Sequence, residues 1–136
     1  MSSNITVIQL KNIADDLAMT GQHLAAFLTE NAASMTPLQR KNSLARMNDL
    51  FIKSVEVRQR ATAIDLGDAV MDLPNIISAT KEAKRAVRNI NAVKSVIKVA
   101  TGLLSFAAAI ATGNVKDILQ EGKDLYDLAK DLNEGD

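Results

Sequence analysis

Asp65, Asp68 and Asp72 stand three and seven residues apart, so on a helix they share one face. Carboxylates placed this way can bind a divalent cation or divide a proton between two acids. They also have a structural use. They close the second predicted helix beside the start of the third, where the positive end of a helix dipole favours negative charge. The structural use requires no ligand, and no metal is expected. His23 is the single histidine, and its nearest carboxylates along the chain, Asp16 and Glu30, are each seven residues away. No His-x-x-x-His or Glu-x-x-His pairing exists, so a surface or cap-edge histidine is expected. The chain has no cysteine, which removes thiolate nucleophiles, disulfides and Cys-based zinc sites. Ser, Thr and Lys are scattered without the base and orienting group that nucleophilic catalysis needs, and no glycine-rich phosphate loop occurs. The expectation is a non-enzyme with no catalytic residue, no cofactor and no small-molecule substrate.

The elements that carry these residues are helical. The chain has 136 residues, 47% hydrophobic but only 3% aromatic, with two Pro and six Gly. Ala, Leu, Ile and Val must fill the core, and hairpin turns are few. This length fits one domain, residues 1–136, with a core that needs no staple. Leu10, Ile13, Leu17, Leu24 and Leu28 mark one face of a helix over about 5–33, with the small residues Ala14, Gly21 and Ala25 beside it. Thr36-Pro37 opens a helix over 37–73. Its main stripe is Leu44, Met47, Phe51, Val55, Thr62, Leu66, Ala69 and Leu73, and Leu50, Val57, Ile64 and Met71 form a second. Pro74 breaks into a helix over 75–112, which at ~1.5 Å per residue would be ~55 Å long. Gly113-Asn114 ends it and caps a last helix over 115–132, where Lys-Asp-apolar recurs at 116, 123 and 130. The fold class is all-α, and the expected architecture is an elongated antiparallel four-helix bundle with coiled-coil-style packing.

Charge is balanced at 16 basic and 16 acidic side chains, but it is unevenly spread. Residues 37–64 carry six basic and two acidic groups, 74–113 six and one, and 114–136 three and seven. The simplest use is internal: the acidic last helix pairs with the basic third and so selects its neighbour. The functional use is a basic face of Arg40, Arg46, Lys53, Arg58, Arg60, Lys84, Arg85 and Arg88, open to an acidic partner or an anionic lipid surface. Nucleic acid is not expected, because no aromatics interleave with these cations to stack bases.

Residues 99–112 contain no charge and are apolar nearly all round. Fourteen residues rise ~21 Å, short of the ~30 Å hydrocarbon core, so burial in the chain or in an oligomer seam is expected. The functional expectation is a non-catalytic helical protein acting through protein–protein contacts, as an oligomer or an assembly subunit. Its candidate interface is Leu50, Val57, Ile64, Leu103, Phe106 and Ile110. The alternative is a membrane-active protein that inserts residues 96–112, in the layout of a helical pore former. The first residues lack a basic start and a long apolar run, so the expected location is cytoplasmic, or exported without a classical signal peptide.

Overall fold

The computed structural model describes residues 4–61, 73–89 and 92–134. They form five α-helices: α1 (Asn4–Asn31), α2 (Pro37–Arg60), α3 (Leu73–Asn89), α4 (Val93–Thr112) and α5 (Val115–Glu134). The chain is all-α, and no strand occurs among the described residues. The expected four helices are therefore corrected to five.

α1 buries Leu10, Ile13, Leu17 and Leu24 completely, as their spacing implies. It ends in a 3₁₀ turn at Ala32–Ser34. Thr36 then starts α2 through a capping box. Its Oγ1 accepts from the Gln39 N–H at 3.1 Å, and the Gln39 Oε1 accepts from the Thr36 N–H at 3.0 Å. Pro37 occupies the first helical position, where its missing N–H costs nothing. α2 doubles back along α1: the Ser54 hydroxyl donates to the Ala14 carbonyl at 2.8 Å, and Arg58 pairs with Asp15. Gly21 makes room for the Phe51 ring, because a Cβ there would lie 3.0 Å from it.

The predicted helix over 37–73 is described as far as Arg60, with Ala61 closing it. Thr62, Ile64, Leu66, Ala69 and Met71, and with them Asp65, Asp68 and Asp72, lie outside the described residues. Leu73 opens α3 rather than closing the helix before it, which places Pro74 in the first turn. The predicted helix over 75–112 is two helices. α3 stops at Asn89, and Ala92 is extended (φ −74, ψ 116) before α4 begins. The intervening Asn89-Ile90-Asn91 supplies two side chains that compete with helical backbone hydrogen bonds. No 55 Å helix forms; the two pieces have 17 and 20 residues.

α3 packs on α1 and runs in the same direction: Asp16 meets Thr80 and Lys84, and further along His23 and Phe27 meet Val87. α4 likewise follows α2, with Arg46 donating to Thr101 and Arg60 reaching the Thr112 carbonyl. Gly113 then takes the left-handed conformation (φ 79), and the Asn114 side chain accepts from the Asp117 N–H. α5 folds back against α4 and also packs on α3, where Asn133 donates to Glu82. The neighbours are thus α1 with α2 and α3, α2 with α4, α5 with α3 and α4, and, less extensively, α3 with α4. The core lies between them, with Phe106 as its largest fully buried side chain.

Candidate functional site

The two apolar stripes of α2 have opposite fates. Leu50 and Val57 point inward, beside Ser43 and Ser54, and both are fully buried. Leu44 and Val55 point outward, at 50% and 55% exposure, with Ile52 beside them at 55%; Phe51 lays its ring edge on Gly21 of α1 and leaves the rest of the ring open, at 36%. Lys41, Leu44, Asn48, Phe51, Val55 and Arg58 alternate by three and four residues and are all exposed. That is a two-heptad seam with Asn48 in its middle and a cation at each end. The α2 carboxylates, Asp49 and Glu56, fall outside this seam on the helix, toward the side of Leu38 and Ala45. The rest of the α2 surface carries Arg40, Arg46, Lys53 and Arg60.

The expected interface residues are core residues. Leu50, Val57, Leu103, Phe106 and Ile110 each have 0% exposure, and Ile64 lies outside the described residues. The correction has a physical reason. Two apolar stripes on one helix compete for the interior, and the one with no charged residue within it wins. The Leu50–Val57 side offers Ser43 and Ser54, which are small and neutral. The other stripe is interrupted by Lys41, Asn48 and Arg58. Burying those cations would cost far more than burying Leu44 or Val55 gains. That contrast was readable in the sequence, but counting apolar residues alone missed it.

The basic residues do not form one face. Arg46 donates to the Thr101 hydroxyl at 2.7 Å, Lys53 pairs with Glu56 at 2.8 Å, and Arg58 pairs with Asp15. Arg60 lies under the α4–α5 turn and reaches the Thr112 carbonyl at 3.4 Å, beside an open hollow of about 350 Å³ that it lines with Glu56, Gln59 and Ala111. Arg40 reaches back to the Ala32 carbonyl. Lys84, Arg85 and Arg88 belong to α3, with Lys84 turned onto Asp16 and Arg85 and Arg88 exposed. α5 does lie beside α3, but among the described residues no ion pair joins the two helices.

Asp16, Thr80 and Lys84 form a buried polar joint that sequence reading did not anticipate. Asp16 is 7% exposed; its carboxylate accepts from the Thr80 hydroxyl at 3.0 Å and from the Lys84 ammonium at 2.9 Å. Asp16 and Lys84 are 68 residues apart, so no local motif signals the pair. His23 sits at the same α1–α3 seam, on a small hollow of about 150 Å³ lined also by Glu30, Phe27, Val87 and Arg88. Burial, then the Arg88 and Lys84 cations, hold its imidazole pKa below the usual 6.5. Among the described residues no three His, Asp or Glu side chains gather closely enough to hold a metal ion.

α4 is not apolar all round. Lys94, Lys98, Thr101, Ser105 and Thr112 form a solvent-facing strip, while Val96, Val99, Leu103, Phe106 and Ile110 point inward. Hydroxyls take the place that charges hold in the other helices. The helix is also longer than the uncharged segment within it. By length and composition its 20 residues are enough to cross a membrane, and it is the one helix of that kind among the described residues.

No protein-family model, no curated protein and no solved structure matches the chain.

Proposed function

We propose that this chain is a non-catalytic helical protein that acts through protein–protein contacts, as a subunit of an assembly, and that the outer face of α2 is the contact. One observation carries the reading: Leu44, Phe51 and Val55 recur at coiled-coil spacing and yet stand exposed on a helix whose other stripe already supplies the core. Scattered surface leucines need no explanation, but an aligned row of this kind is what a partner helix covers.

The absence of cysteine gives a direct test. Asn48→Cys introduces a single thiol at the middle of the seam, and Lys123→Cys introduces one on the exposed face of α5. Each is labelled with a thiol-linked photo-crosslinker and irradiated among the proteins it is made with, and light scattering records self-association in parallel. Adducts at position 48 and not at 123 support the reading. Equal labelling at both positions, with a monodisperse monomer, contradicts it.

A second reading is carried by α4. Its length and apolar composition support a membrane-active protein in which this helix leaves its neighbours and enters a bilayer, with Lys94 and Lys98 at the headgroups. Eight of its residues are buried against the other helices, so insertion requires opening of the fold. Dye release from neutral and anionic vesicles at neutral and acidic pH tests it, and no release under any of these conditions removes it.

A further inference from the structure

We infer that the partner covering the outer face of α2 is an acidic amphipathic helix of another protein, neither a second copy of this chain nor a lipid surface. The inference rests on the proposed contact at α2 and adds the chemistry of what binds there.

The seam is bracketed by Lys41 and Arg58, and Arg40 lies beside it. The seam itself holds no carboxylate, since Leu44, Asn48, Phe51 and Val55 are uncharged; Asp49 and Glu56 lie beyond its Ile52 edge, and Glu56 is paired with Lys53. α2 as a whole carries six cations and two carboxylates. A helix with an apolar seam and flanking Glu or Asp meets both features: its seam covers Leu44, Phe51 and Val55, and its carboxylates meet the terminal cations. Arg58 already pairs with Asp15 of α1, so the charge left for a partner lies at the other end of the seam, on Lys41 and Arg40, which join no ion pair among the described residues.

A second copy fits less well. α2 packed against its own kind sets two strongly basic helices side by side. In register, Lys41 meets Lys41 and Arg58 meets Arg58. In the opposite direction, Lys41 meets Arg58. The chain's own acidic helix is no substitute, because the exposed side chains of α5 are charged or amide and form no apolar seam. A bilayer fails on Asn48. An exposed amide in the middle of the stripe would enter the acyl boundary without a hydrogen-bond partner, whereas a facing helix can supply one. A stripe two or three residues wide also matches a helix better than the broad apolar arc that interfacial binding uses.

The test uses two fluorescently labelled four-heptad peptides with identical Leu seams, each with one Asn at the central seam position. One carries Glu at all flanking positions and the other Lys, so that each repels its own kind. Anisotropy titrations with the full chain, at low and at physiological salt, read the binding. The Glu peptide should bind at least tenfold more tightly than the Lys peptide, and this preference should shrink as salt rises. Val55→Glu and Leu44→Glu, with helical circular dichroism unchanged, should each weaken binding of the Glu peptide at least tenfold. Equal binding of the two peptides overturns the acidic-partner inference and leaves the contact face standing. So does concentration-dependent dimerisation, or binding to phosphatidylserine vesicles, that Val55→Glu abolishes. Failure of both peptides to bind a chain that stays monomeric and ignores vesicles overturns the inference and the contact face together.

Discussion

Asp16 shows how much one side chain can hold. It is nearly buried, and both its partners come from α3. Asp16→Ala removes the carboxylate that accepts from the Lys84 ammonium and from Thr80, and should cost about 1.5–3 kcal/mol in urea unfolding, the range for hydrogen bonds to charged groups. Lys84→Ala should cost at least as much, because it leaves a nearly buried carboxylate without its counter-ion, whereas the Lys84 ammonium freed by Asp16→Ala is partly exposed. His23 adds a group at the same seam whose protonation the fold disfavours. Its folded pKa is depressed, so the unfolded chain takes up a proton at higher pH than the folded one. Protonation therefore favours unfolding. The contribution is fully present above the ordinary value of 6.5 and is lost as pH falls below it. Lys84 and Arg88 from α3 face the imidazole, and Glu30 of its own helix lines the same hollow. The melting temperature of the wild type should fall more between pH 7.5 and 5.5 than that of His23→Gln. Equal slopes would show that His23 does not carry the effect.

At the scale of elements, two glycines make opposite predictions. A Cβ on Gly102 would sit 3.4 Å from Leu125 and 3.7 Å from Leu128, which is ordinary contact. Gly102→Ala should stabilise α4 by about 0.5–1 kcal/mol through helix propensity. Gly113 has φ 79, and a Cβ there would come within 2.5 Å of the Arg60 guanidinium. Gly113→Ala should destabilise by about 1–2 kcal/mol or more. Thermal melts of both variants, compared with the parent, check the pair. The same elements show what the sequence made legible. Thr36-Pro37 and Gly113-Asn114 were readable because capping and left-handed turns depend on residues within four positions. The α3–α4 break carries no Pro or Gly, and an apolar period of seven, Ile76, Ala83, Ile90, Ile97 and Leu104, runs straight across it in the sequence. Helix existence was local information. Which α2 stripe faces inward was local as well, since Lys41, Asn48 and Arg58 interrupt the outer one; how that helix seats on α1, with Ser54 bonded to the Ala14 carbonyl and the Phe51 ring on Gly21, was not. The Asp16 joint depended on a helix 64 residues further on, so no window of sequence held it.

For the whole molecule, the core and the outer face of α2 should respond to mutation as unlike materials. Phe106→Ala removes the largest fully buried side chain and should cost about 3–5 kcal/mol in equilibrium unfolding. Val55→Glu, on a half-exposed position, should stay within about 0.5 kcal/mol of the parent while raising solubility. A large loss from Val55→Glu would mean that the seam is structural rather than free for a partner. The α1–α3 joint has one more consequence, in the order of events during synthesis. α1 and α2 can close as a hairpin once residue 61 has emerged, but the face of α1 that carries Asp16, Thr20 and Phe27 waits for α3. Until Thr80 and Lys84 leave the ribosome, a nascent hairpin holds an uncovered apolar flank with a lone carboxylate in it. A carboxylate buried there without partners would be costly, so collapse of that flank is disfavoured until α3 brings Thr80 and Lys84 to it.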